Sequence, residues 1–293
     1  MVLANSPMQH SFLTRCAIAL CSVLGATSAG IAQALDVQLS PTDPQLGDTV
    51  SVVIQSDTTN PDNLSVVANQ RRYPVFSTGN QTYRALLPTT PLDSPGQVTV
   101  QVSDDDETRN LAIWLRDRSF PTQRITLRGG GSSLTEIERS RVQAFKQIVS
   151  PERFWNGAFL RPTSGRVSTI FGVQRYYNGV FAENYYHRGV DYATSTGTPV
   201  VAPAAGRIEL IGYESQGFRV HGNTVGMDHG QGVLSIFIHL SRIDVQEGDF
   251  VQAGQTIGAV GSTGSSTGPH LHWGLYVNGQ AVDPVPWRFE GID

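Results

Sequence analysis

A mainly β chain in two unlike halves joined by one short helix is the fold class that three features predict. Residues 35–128 alternate apolar and polar side chains between Pro-, Asn-, Asp- and Gly-rich turns. Helical periodicity appears in one place, within residues 129–154. Residues 155–293 return to short strands among many glycines and carry six of the seven histidines.

Residues 1–34 read as an export signal. Arg15 is the only formally charged residue there, "CAIALCSVLGA" follows it, and "AQA" ends at Ala34 as a small-x-small cleavage site. The apolar run is too short, and too broken by Ser, Thr and Gly, for a membrane anchor. Cys16 and Cys21 both lie in this segment, so the mature chain has no thiol and no disulfide. It also has 20 basic against 25 acidic residues, a net charge of −5, with Lys146 as its one lysine. Such a balance excludes a nucleic-acid partner read through a basic surface. Nothing beyond residue 34 has the length and apolarity of a transmembrane segment. An exported protein, periplasmic or extracellular and cell-wall associated, is expected.

The first half, with "DTVSVVIQS", "LSVVAN", "TYRALLP", "QVTVQVS" and "RNLAIWL" as strands, suggests an immunoglobulin-like β-sandwich. It holds no cluster of metal-binding or nucleophilic residues and reads as a spacer or positioning module. "RGGGSS" (128–133) is a flexible joint. Ser133 and Glu136 have the spacing of a helix-capping box, and Ile137, Val142, Phe145, Ile148 and Val149 form a loose stripe ended by Pro151. The helix is expected to pack on the C-terminal domain. The glycine joint, Gly129–Gly131, suggests that the first half or the helix gates a groove in the second.

The chemistry lies in the second half. His187 and Asp191 in "YYHRGVDYA" are four apart, and His270 and His272 in "GPHLHW" are two apart. Even separations in an extended chain point both side chains the same way. His187, Asp191 and His272 make a two-imidazole, one-carboxylate set, which suits zinc with one position left open for water. Structural zinc sites are closed and usually rich in cysteine, which is absent here. His270 then stands beside the metal as a proton acceptor. In "LSIFIHLS", Ser235, Phe237 and His239 share one strand face, opposite Ile236, Ile238 and Leu240. With the apolar face inward, His239 points to the cleft, where it assists proton transfer and stabilises a tetrahedral intermediate. His221 and His229, in Gly-flanked surroundings, read as structural histidines. The "GSTGSSTGP" run is either a groove wall for an extended peptide or a turn that delivers the histidine strand.

At these residues the chain resembles the lysostaphin/LytM-type zinc metallopeptidases, the glycyl-glycine endopeptidase family acting on peptidoglycan. "HRGVD", "GTPVVAPAAGRI", "DHGQG", "HLS", "VQAGQTIGAVGSTGSSTGPHLHWGL" and "VNGQAVDP" follow one another in that family's order across roughly residues 155–287. The resemblance implies His187, Asp191 and His272 as zinc ligands and His239 and His270 as catalytic histidines. It also implies an antiparallel β core of the duplicated hybrid motif type, a metal in a groove, and peptidoglycan peptides as substrate. Phe237 stands where many relatives have Tyr, and Trp273 where many have Phe. Tyr185 or Tyr186 is the expected oxyanion-stabilising tyrosine. Some relatives with this fold have lost ligands and act as cell-wall-binding regulators or amidase activators; here all five positions are present. A third reading, an adhesive exported β protein, leaves the five residues without a role.

Overall fold

Strands in which every second residue is apolar can bury one face, and the first half is assembled on that basis. The computed structural model describes residues 35–126, 133–289 and 291–292; residues 1–34, expected to be an export signal, and the expected joint Gly129–Gly131 lie outside the described residues. Two four-stranded antiparallel sheets form here. One runs in the order Asp36–Ser40, Thr49–Gln55, Thr82–Pro88, Phe76–Gly79, and the other Arg71–Tyr73, Ser65–Ala68, Gly96–Ser103, Thr108–Leu115. Val50, Val52 and Ile54 from the first sheet and Val66, Val100 and Val102 from the second are all fully buried in one shared core.

Strand Thr82–Pro88 is buried on both faces. Tyr83, Ala85 and Leu87 fill the core just described, whereas Leu86 joins the core of the second half. Arg84 points the same way as Leu86, donates to the Gln231 side chain, and lies 5.1 Å over the Trp155 ring. Asn278 Nδ2 donates to Leu86 O at 2.8 Å, and Arg118 pairs with Asp283 at 2.8 Å. The first half is therefore packed directly against the second, in addition to being joined to it by the chain.

The helix spans Glu136–Lys146, and its N-cap is Thr135, whose side chain accepts from Glu138 N–H at 3.2 Å. The expected Ser133 cap is displaced by two residues: Thr135 and Glu138 have the same spacing as Ser133 and Glu136, and tertiary contacts select the later pair. Val142 and Phe145 are buried as expected, but Ile137 and Val149 stay largely exposed. The helix packs on the second half, where a Cβ on Gly226 would fall 2.8 Å from the Phe145 ring.

In the second half a ten-stranded sheet carries the site. Its main path is Arg166–Thr169, Val190–Ala193, His270–Val277, Val233–Ile243, Asn223–Gly230, Gly206–Gly212 and Phe250–Val251, with antiparallel pairing throughout. The long stretch "TPVVAPAAGRIELIGY" is split into Pro199–Val201 and Gly206–Gly212. One small sheet departs from the antiparallel expectation. Thr122–Ile125 pairs in parallel with Gln174–Tyr177, so this strand belongs with the second half and not with the two sheets before it.

The candidate metal centre and its flanking histidines

Val190–Ala193 and His270–Val277 are neighbouring strands in a register that sets Asp191 opposite His272 and Ala193 opposite His270. Directly paired residues project from the same face, so the carboxylate and the second imidazole meet across the ladder. His187 comes from the loop just before, tied down at both backbone groups. Its N–H donates to Val173 O at 2.8 Å, and its carbonyl accepts from Gly172 N–H at 2.9 Å. Between His187 and Asp191 the chain passes so close to the next strand that a Cβ on Gly189 would lie 2.3 Å from Trp273 O and 2.8 Å from His272 Nε2. The glycine of "HRGVD" is therefore required by close approach.

The three candidate ligand atoms form a near-equilateral triangle. His187 Nε2 lies 3.0 Å from Asp191 Oδ1 and 3.0 Å from His272 Nδ1, and His272 Nδ1 lies 2.9 Å from Asp191 Oδ1. His187 Nδ1 sits 2.8 Å from Ile170 O, and a carbonyl can only accept, so Nδ1 carries the proton. Nε2 is then the nitrogen aimed at the carboxylate and at the second imidazole. All three groups are buried or nearly so. Burial pushes the Asp191 carboxyl up, but its contacts with the two imidazoles outweigh that and hold it well below the usual carboxylate range. Burial also pushes His272 down to about 4, so it is neutral near pH 7. Converging lone pairs with too few protons to satisfy them suit a divalent cation. Two imidazoles and one carboxylate without thiolate fit zinc bound with an open position.

His270 and His239 flank this triangle. His270 Nε2 stands 4.0 Å from Asp191 Oδ1, and the His239 and His270 ring centroids are 4.8 Å apart. Both rings are oriented by carbonyls of the Ser/Thr/Gly run: His239 Nδ1 donates to Thr263 O and His270 Nδ1 to Gly268 O, each at 2.8 Å. That run is thus at least a device for aiming two histidines. Burial, with help from the neighbouring His270 and His272, lowers the pKa of His239 to about 3.

His239 arrives by a different route from the one its alternation suggests. Residues Val233–Leu240 are buried on both faces, and Phe237, on the face assigned to the cleft, is fully buried. Phe237 pairs with Val225 while Leu240 pairs with Asn223, so this strand holds one extra residue against its partner. His239 sits in that bulge with φ +66, a conformation rare for a non-glycine residue. The bulge re-aims the imidazole, which simple parity would have placed with Phe237.

The remaining residues sort by their contacts. His229 is fully buried, donating to Ala205 O at 2.9 Å and paired with Ser235 Oγ at 2.8 Å. Trp273 Nε1 donates to the same Ser235 oxygen at 3.2 Å, which satisfies the larger aromatic at that position. His221 binds Glu138 of the helix at 2.7 Å. Tyr186 is committed to the core and donates to Ala281 O at 3.0 Å. Tyr185 is half-buried, two residues before His187, and its hydroxyl accepts from Arg175 Nη1 at 2.8 Å. Arg175 also reaches Tyr177 and, through Nε, Gln123 of the parallel strand at 3.2 Å. The sequence offered no signal for this Arg175 cluster, because only the parallel pairing brings Gln123 to it.

One antiparallel sheet and the loop before it bring a buried His–Asp–His triangle, a group that could hold a metal ion, beside two carbonyl-anchored imidazoles. The model for Peptidase family M23 matches residues 185–284, a span that contains all five side chains, and the chain carries a domain of that family. It is 42% identical over 120 residues to DD-carboxypeptidase/endopeptidase Mpg of Neisseria meningitidis serogroup B, covering 41% of this chain and 26% of that protein. It is 43% identical over 106 residues to lysostaphin of Staphylococcus staphylolyticus, covering 34% of this chain and 22% of that protein. The chain thus spans about a quarter of the length of these curated relatives. A solved structure of a putative peptidase M23 from Pseudomonas aeruginosa superposes with a TM-score of 0.61 at 27% identity, covering 84% of this chain and 95% of that one. That likeness reaches beyond the M23 span into the first half. Among the described residues no helix is long and apolar enough to cross a membrane.

Proposed function

We propose that this chain is an exported zinc endopeptidase that hydrolyses peptide stems or cross-links of peptidoglycan. The observation that carries the reading is the pairing of a three-donor triangle with two further imidazoles whose Nδ1 atoms are both tied to carbonyls. His187, Asp191 and His272 hold the metal. Zinc in that position supplies a Lewis acid and a water of lowered pKa beside the scissile carbonyl. With Nδ1 occupied, His239 and His270 each present Nε2 to the groove. His270 takes the proton of the attacking water and returns it to the leaving amine; His239, whose Nδ1 proton is held by Thr263 O, assists through Nε2 as a second hydrogen-bond acceptor for that water. Burial keeps His239 neutral, so its role is to accept a hydrogen bond and not to hold a second proton. Of the two tyrosines expected to bind the oxyanion, Tyr186 has its hydroxyl committed to Ala281 O, which favours Tyr185 for that role. The relative named DD-carboxypeptidase/endopeptidase Mpg supports a peptidase, and the relative named peptidoglycan DD-endopeptidase ShyC of Vibrio cholerae, 39% identical over 129 residues, supports peptidoglycan as its substrate.

In the same reading residues 1–34 are the export signal, 35–128 an immunoglobulin-like spacer whose last strand, Thr122–Ile125, is paired onto the second half, 129–154 the linker with its helix, and 155–293 the catalytic domain of duplicated hybrid motif type. The two four-stranded sheets around a shared core support the second assignment. The test is a muropeptide digest of the purified mature chain analysed by mass spectrometry, which also identifies the bond cut. New fragments should appear with zinc and vanish in His270→Ala. Tight zinc binding with no fragment from any cell-wall preparation would sink the enzyme reading and leave a non-catalytic cell-wall-binding regulator.

A further inference from the structure

Helix Glu136–Lys146 lies outside the span that matches the family model, yet one of its carboxylates has no exposed surface. A buried carboxylate is costly unless hydrogen bonds replace its water. Glu138 Oε1 accepts from Val220 N–H at 3.0 Å, from His221 N–H at 2.7 Å and from His221 Nδ1 at 2.7 Å. These contacts outweigh burial and lower its pKa, so it is ionised. At the third helical position after the Thr135 cap, a glutamate would ordinarily turn back to the cap's own N–H. Glu138 instead reaches across to the 220–221 turn. Thr135 grips the same segment, donating its hydroxyl to Gly217 O at 2.7 Å.

That turn holds His239. The carbonyl of His221 accepts the His239 N–H at 2.9 Å. Ser265 N–H donates to Val220 O at 2.9 Å, and Asn223 N–H donates to Thr263 Oγ1 at 2.9 Å. Thr263 in turn offers the carbonyl that binds His239 Nδ1 at 2.8 Å. Both the backbone and the ring of His239 are thus held by segments anchored on Glu138. Left-handed backbone at a non-glycine residue persists only where the surroundings enforce it, and φ +66 at His239 is such a case.

We infer that Glu138 is a positioning residue for His239, and that the linker helix is a working part of the catalytic unit through the path Glu138, His221 backbone, His239. This rests on the reading of His239 as a catalytic histidine. The clamp acts through backbone N–H groups, so the amide oxygen of a glutamine can replace the carboxylate, and the His221 ring is dispensable.

The test uses the full mature chain with zinc. Glu138→Ala, or the apolar near-isostere Glu138→Leu, should lower kcat about 10- to 100-fold, the scale of a misplacement near 1 Å. KM and zinc content should be unchanged. The Nδ1–H proton resonance of His239 should shift or broaden in both. Glu138→Gln and His221→Ala should keep that resonance and stay within about 3-fold in kcat. A folded Glu138→Ala or Glu138→Leu with unaltered kcat and an unaltered His239 resonance overturns the inference. If neither folds, Glu138→Gln decides, since loss of the resonance there rules out the backbone clamp. Should the wild-type chain cut nothing, the proposed function fails, while the resonance still decides whether Glu138 holds His239.

Discussion

Three of the five site imidazole and carboxylate groups owe their orientation to main-chain carbonyls that no side-chain motif encodes. Ile170 O, Thr263 O and Gly268 O bind Nδ1 of His187, His239 and His270, which leaves each Nε2 facing the site. Orienting partners of this kind set the tautomer and the aim of a ring. Ligand and proton-handling roles should therefore separate cleanly on substitution. Asp191→Asn removes the one charged ligand, and zinc affinity measured by competition with a chelating dye should fall by more than about 100-fold, beyond the loss typical of an outer partner. His270→Ala should keep full zinc stoichiometry while muropeptide cleavage drops on the order of 100-fold or more. At Gly189 the constraint is steric. The added Cβ of Gly189→Ala meets backbone 2.3 Å away, so urea unfolding should register a loss of roughly 3 kcal/mol or more.

Two strands are worth following as elements. Thr82–Pro88 looks in sequence like an ordinary half-buried strand, but its two faces serve two cores. Leu86, fully buried, packs into the second half, away from the sheet that carries it. Leu86→Ala should cost about 2–5 kcal/mol, the range for a buried leucine that leaves a cavity. Calorimetry should show the loss in the unfolding of the second half as well as the first; an effect confined to the first half would contradict a shared interface. Val233–Ile243 shows the opposite economy. Its residues Val233–Leu240 are apolar enough to be buried on both faces, so their pattern cannot disclose that one inserted residue turns His239 toward the candidate metal centre.

Over the whole molecule, buried neutral histidines make stability depend on acid. His229 has no exposed surface, and burial lowers its pKa from 6.5 to about 4. Between those values the unfolded chain binds a proton that the folded chain does not. The contribution is complete above about pH 6.5 and is lost as pH falls toward 4, amounting to roughly 3 kcal/mol. His272 and His239 act with the same sign in the metal-free protein. The urea midpoint of zinc-free protein should fall from pH 7 to pH 4.5, and His229→Gln should flatten that fall. An unchanged slope in the variant would show that His229 does not contribute.

The mainly β character, the helix between two halves and the five side chains that the fold brings together at the candidate site were legible in the sequence, because period-two alternation, turn residues and the parity of His-x-His are local properties. Asp191 and His272 could be paired on chemistry alone, since few other buried groups call for a cation. What the tertiary structure alone decided is non-local. Thr135 replaced Ser133 as the helix cap because Glu138 is drawn to the 220–221 turn. Tyr186 went to the core and donates to Ala281 O, whereas Tyr185 stayed half-buried against Arg175. The parallel pairing of Thr122–Ile125 with Gln174–Tyr177 and the bulge at His239 depend on partners far along the chain. Residue types disclose which groups can do the chemistry; only the packed fold supplies the register, the bulge and the carbonyls that aim them.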